Sequence, residues 1–192
     1  MDNNIQDTFP LSKSNTIKGT RRIAREKVLQ ILTAHFISDI PWESTFKHIF
    51  EREFNFGDDE IHFDKLLTPE EIMEIEADTY IQWTHEDKEF AESLILSVLA
   101  NRKEIDEYII SVAENWEIDR ISMLDRIIIE IAVAELLKFD SIPTKVSINE
   151  AIEISKIFST EKSGQFVNGV LDKILTILKE ENKIKKSGRG LK

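Results

Sequence analysis

Apolar residues recur along most of the chain at three- and four-residue spacings, the period of a helix with one buried face. From Thr16, the positions Ala24, Val28, Ile31, Leu32 and Phe36 form such a stripe. Pro41 ends or restarts that helix, and Trp42, Phe46, Ile49 and Phe50 then share a second, aromatic face. An acidic stretch from Glu51 to Asp78 follows, broken by Gly57 and Pro69, with a short helix expected after Pro69. Beyond Glu86 the spacing predicts one helix on Phe90, Leu94, Ile95, Val98 and Leu99, and another on Ile105, Tyr108, Ile109, Val112 and Trp116, as an antiparallel pair.

Ser122, with Asp125 three residues later, reads as a helix start. The run MLDRIIIEIAVAELLKF behind it is apolar on nearly every side, as expected of a central helix enclosed by others. After Pro143 come two more helices, with Ile148, Ala151, Ile152 and Phe158 inward in one, and Val167, Val170, Leu171, Ile174 and Leu178 inward in the other. The β-branched runs all sit inside helical periods, and no fixed repeat emerges. The predicted class is all-α. The expected organisation is a polar flexible tail over residues 1–15, a single helical domain over 16–180 with an acidic insertion at 41–85, and a basic flexible tail over 181–192.

Composition narrows the chemistry. The 192-residue chain has no cysteine, which excludes disulfides and thiolate chemistry. The opening MDNNIQDTFP has neither a basic start nor a secretory apolar run, and no transmembrane stretch occurs, so a cytoplasmic location is expected. His35, His48, His62 and His85 lie in separate segments without a partner at zinc-ligand spacing, so no metal is expected. Gly188 and Gly190 do not form a phosphate loop. With no catalytic constellation, no enzyme activity and no cofactor are expected.

The net charge of -11 argues against a polyanionic partner only if charge is spread evenly. It is not. Residues 13–30 carry six bases against Glu26 alone, and residues 179–192 carry six against Glu180 and Glu181. Two basic ends therefore flank an acidic body. At about 100° per residue, Lys18, Arg21, Arg22 and Arg25 fall within roughly a 100° arc bordering the first apolar stripe. Such a ridge suits phosphate, because like charges crowded in two turns repel unless an anion neutralises them and arginine forks match phosphate oxygens. Pairing with the acidic body fits the same spacing equally well. Before the last helix, Ser159, Thr160, Lys162 and Ser163 place hydroxyls and charge near a helix N-terminus, and Phe166 lies one residue off the inward line. An aromatic there can stack an unpaired base or cover the edge of the core.

NWEIDRISMLDRIIIEIAVAELL, IPTKVSINEAIEISKIFST and KSGQFVNGVLDKIL together resemble the C-terminal half of the NusB family of antitermination factors. RRIAREKVLQIL is similar to that family's arginine-rich first helix, and EIDEYIISVAENW to the segment before its central helix. The resemblance covers roughly Arg21 to Phe36 and Glu86 to Leu178. It implies a compact bundle of about seven helices in two packed subdomains, binding single-stranded boxA-type RNA of nascent ribosomal RNA transcripts. Its implied partners are the small-subunit ribosomal protein that acts as NusE and an RNA polymerase antitermination complex, with oligomeric state, a homodimer included, left open. Carried onto this chain, the family's RNA surface points to Arg21, Arg22 and Arg25, beside Lys18 from the spacing, and to Lys162, Ser163, Gln165 and Phe166. The family commonly has an acid where Lys162 stands, so this turn is expected to hold phosphate more strongly. Two rivals are an RNA-binding accessory domain like that of ribosomal RNA methyltransferases, disfavoured because no such catalytic domain follows, and a protein-interaction scaffold with structural arginines.

Overall fold

A computed structural model describes residues 17–51, 81–112, 121–160 and 162–187. The described residues are arranged as β1 (Ile17–Lys18), α1 (Arg21–Ser38), α2 (Trp42–Phe46) continued by a π-helical turn over Lys47–Glu51, β2 (Ile81–Gln82), α3 (His85–Val112), α4 (Met123–Lys138), α5 (Thr144–Phe158) and α6 (Ser163–Glu180). The fold is all-α. Its sole departure among the described residues is a two-residue parallel pairing of β1 with β2, Ile17 opposite Ile81 and Lys18 opposite Gln82, too short for an alternating pattern to reveal.

Six α-helices are present among the described residues, close to the expected seven, and the difference has a physical cause. The predicted antiparallel pair after Glu86 is one helix, α3, 28 residues long. Nothing between Leu99 and Ile105 breaks it: ANRKE contains no glycine or proline, and Val98 to Ile105 is a seven-residue step that keeps both on the same face. The side-chain amide of Asn101 donates to the Ser97 carbonyl at 2.7 Å, inside the helix. The expected helix after Pro69, Trp116 and the 1–15 tail lie outside the described residues.

α4 occupies the centre, as its apolar run predicts, and touches α1, α3, α5 and α6. Ile127, Ile129, Val133, Ala134 and Leu136 are fully buried on it. Ser122 caps it by accepting from the Asp125 amide at 3.0 Å. α1 packs against α3 and α4, with Ala24, Val28, Ile31 and Leu32 inward, and α2 packs against α1. Phe46, Phe50 and Trp83 stack at ring-centre spacings of 4.7 and 4.5 Å, joining the segments on either side of residues 52–80.

Residues 181–187 depart from the expected flexible tail. Ile184 packs against the core, and Ser187 donates its amide to the Asp140 carbonyl at 2.9 Å. A single inward isoleucine carries too little periodicity to be read as an anchor. Residues 188–192 lie outside the described residues.

Candidate nucleic-acid interface

Arg21 and Arg22 occupy the first turn of α1, whose only side-chain cap is Thr20, accepting from the Ile23 amide at 3.2 Å. No acid stands in that turn. Two cations at the positive end of a helix dipole disfavour the helix, by about 0.3–1 kcal/mol each, and favour an anion. Gly19 sets this turn in place. Its amide donates to the Gln82 carbonyl at 2.9 Å, and a Cβ there would lie 2.5 Å from the Trp83 ring.

The first-helix ridge is not a row of free cations. Arg22 is half-exposed and forks onto Glu150 of α5, with Nε and Nη2 donating at 3.0 and 2.9 Å. That hydrogen bonding, more than the accompanying charge attraction, raises its pKa further above the ordinary arginine value. Arg21, also half-exposed, lies 3.6 Å from Asp87 and over the Phe90 ring at 4.4 Å. Arg25 is different in kind. It is 4% exposed, and its Nε and Nη2 donate to Glu135 at 2.7 and 2.9 Å while Nη1 donates to the Arg21 carbonyl. Ser147 also donates to Glu135, at 2.7 Å. The expectation that Arg25 presents its fork to a ligand is corrected: buried Glu135 already takes it. Lys18 is exposed, on β1 rather than on the helix, so it is not part of the ridge.

At the second place, Ser163 is likewise buried rather than presented. Its hydroxyl accepts from the Thr160 amide at 3.2 Å, meets the hydroxyls of Thr160 and Ser159 at 2.8 and 2.9 Å, and donates to Asp125 at 3.1 Å. This hydroxyl cluster ties the start of α6 to the start of α4. Lys162 and Gln165 are exposed, and Phe166 is half-buried against the core. Gly164 lets α6 approach α5 closely, since a Cβ would come 3.2 Å from Lys156 Cγ. Both groups flank α5, one at Glu150 and the other at Lys156, about 9 Å apart along its axis. Glu153 lies between them, paired with Lys156 at 2.7 Å.

The spacing of apolar residues gave no sign of an open groove of about 1220 Å³ beside the first group. Its lining includes Arg21, Arg22, Arg25 and Glu150 together with Phe90, Phe139 and Val146. The glutamates Glu130 and Glu135 in the apolar run of α4 could have signalled the pairing of Arg25 with Glu135, because a carboxylate at such a position demands a cation.

The NusB family profile matches residues 22–176. The chain belongs to the NusB family. Among curated proteins it is similar to the transcription antitermination protein NusB of Salinibacter ruber, 50% identical over 104 residues, 54% of this chain and 65% of that one. It is also similar to the NusB of Chloroherpeton thalassium, 48% identical over 104 residues that cover 54% of this chain and 49% of that relative. The chain thus spans about half of one of these relatives and just under two thirds of the other. The NusB of Natranaerobius thermophilus is 39% identical over 132 residues, 69% of this chain and 89% of that one. Among solved structures, T. maritima NusB is 33% identical with a TM-score of 0.59, covering 83% of this chain and 93% of its own. A structure of the antitermination factors NusB and NusE in complex with dsRNA shares the fold at 22% identity, with a TM-score of 0.58 and coverage of 82% and 96%. Among the described residues, no helix is long and apolar enough to cross a membrane.

Proposed function

We propose that this NusB-family chain is a non-catalytic RNA-binding antitermination factor acting in the cytoplasm. It recognises single-stranded boxA-type RNA of nascent ribosomal RNA transcripts, together with the small-subunit ribosomal protein acting as NusE. The observation that carries the reading is the pair Arg21 and Arg22, half-exposed at a helix start that has no acid in its own first turn, and on the edge of an open groove.

The guanidinium groups of Arg21 and Arg22 are half-exposed, so RNA phosphates can compete for them with Asp87 and Glu150, the largely buried carboxylates that hold them. Arg25 stays on Glu135, because separating a buried pair costs several kcal/mol. Its role is to position the first turn through the Arg21 carbonyl. Lys18, Lys162 and Gln165 add exposed polar groups to either side, and Phe166 is the candidate for stacking an unpaired base. The acidic remainder repels RNA elsewhere and offers an anionic face to a basic ribosomal protein.

The pairing of both exposed arginines favours a second reading, a protein-interaction scaffold with structural arginines. Filter binding of a boxA-type oligonucleotide against a scrambled one, with and without the ribosomal protein, separates the two. RNA binding predicts sequence discrimination, a log–log salt slope of about -0.7 per phosphate contacted, and abolition by Arg21→Glu with Arg22→Glu at unchanged helical content. No discrimination and a slope near zero would overturn it in favour of the scaffold.

A further inference from the structure

The groove beside Arg21 and Arg22 is walled in part by the turn between α4 and α5, which contributes Phe139, Ser141, Ile142 and Pro143 to its lining. The Ile142 amide closes that turn by donating to the Phe139 carbonyl at 3.1 Å. Residues 186 and 187 then hold it. Lys186 Nζ donates to the same Phe139 carbonyl at 2.9 Å and to the Glu135 carbonyl at 3.3 Å, and the Ser187 amide donates to the Asp140 carbonyl at 2.9 Å. The end of α4 suits a cation, because helix carbonyls lack partners there and the dipole is negative. Neither Lys186 nor Ser187 lines the groove itself.

Two connections run from this seat to Arg21. The Phe139 ring meets the buried Phe90 ring edge-on at 5.5 Å, and Phe90 carries the Arg21 guanidinium on its face at 4.4 Å. Glu135, whose carbonyl Lys186 holds, takes the Arg25 fork on its carboxylate, and Arg25 donates to the Arg21 carbonyl at 3.2 Å. One connection ends on the side chain of Arg21 and the other on its backbone.

We propose that Lys186 is a positioning residue for RNA binding: with the Ser187 amide it seats the end of α4 and thereby fixes where Arg21 stands at the groove. The inference rests on the RNA reading above and gives Lys186 no contact with the strand, since its ammonium group is spent on two carbonyls. A lysine touching phosphate would act independently of Arg21, and a cation felt only at long range would be matched by its exposed neighbour Lys185.

The test is filter binding of the boxA-type oligonucleotide to the full chain carrying Lys186→Met, which loses the ammonium group, with Lys185→Met as the control of equal charge and Lys186→Arg as the conservative variant. Ser187→Pro removes the amide donor without changing charge. Each is repeated with Arg21→Ala, and circular dichroism checks the fold at the assay temperature. Lys186→Met and Ser187→Pro are expected to weaken binding about three- to tenfold. Lys185→Met and Lys186→Arg are expected to bind like the unaltered chain, and the losses to disappear once Arg21 is alanine. Losses that persist with Arg21→Ala overturn positioning in favour of a direct phosphate contact. An equal loss with Lys185→Met overturns it in favour of long-range charge. Unchanged binding by Lys186→Met and Ser187→Pro overturns it while leaving the RNA reading intact. Absence of binding by the unaltered chain overturns both.

Discussion

Arg22 and Arg25 are three residues apart on one helix, and each forks onto a glutamate, yet their surroundings give them opposite roles. Removing Arg25 strands Glu135 in the core, so Arg25→Ala is expected to cost about 3–5 kcal/mol in urea denaturation. Arg22→Ala leaves the largely buried Glu150 with Arg25 still 3.9 Å away, and is expected to cost less, about 1–3 kcal/mol, while weakening RNA binding. Equal costs would contradict the division between structural and ligand-facing arginine.

Glu130 is another buried acid of α4, within 3.5 Å of Arg102 Nε and 3.2 Å of Arg126 Nε. Burial outweighs the attraction of these cations, and nearby Asp106 adds to the effect, so its pKa is raised from 4.5 to about 7. The folded state then holds a proton that the unfolded chain has lost, and this group's contribution to stability falls as pH rises from about 4.5 to about 7, staying flat above that. Relative to Glu130→Gln, the wild type is expected to lose up to about 3 kcal/mol between pH 5 and pH 8. Parallel pH–stability curves for the two proteins would sink this account.

Among the elements, the first turn of α1 depends on a contact far along the chain. Gly19→Ala drives a methyl group into the Trp83 ring, which must shift and loosen its stack on Phe50. Overpacking of this kind costs about 1–3 kcal/mol. Thermal denaturation should show that loss, and RNA affinity should fall with it, because the turn holding Arg21 and Arg22 moves. An unaltered melting temperature would mean that the ring yields freely.

Across the whole molecule, the inward faces of α1, α4, α5 and α6 were legible because three- and four-residue spacing reports directly on burial: Val28, Leu32, Val167, Leu171 and Ile174 are all fully buried. The division of α3 into two was misread because polarity over ANRKE resembles a loop, although only a breaker residue would end the helix. The candidate site was legible in part. Lys162 and Gln165 are exposed, and Arg21 and Arg22 are half-exposed at the groove. What local pattern cannot carry is partnership across the chain. Glu135 and Glu150 lie 110 and 128 residues from the arginines they hold, and no period links them.

The two buried glutamates of α4, Glu130 and Glu135, are five residues apart and point roughly 140° from each other around the helix. Glu130 faces the arginines of α3 and α4 itself, whereas Glu135 faces α1 and Ser147 of α5. Apolar helices on their own tolerate sliding, since one methyl packs nearly as well as another. Here a slip of α1 by a single turn, about 5.4 Å, would carry Arg25 out of reach and leave Glu135 without its fork, a penalty of several kcal/mol. Glu135 thus acts as a registration mark for assembly: the height at which Arg21 and Arg22 emerge beside the groove is set from inside the core.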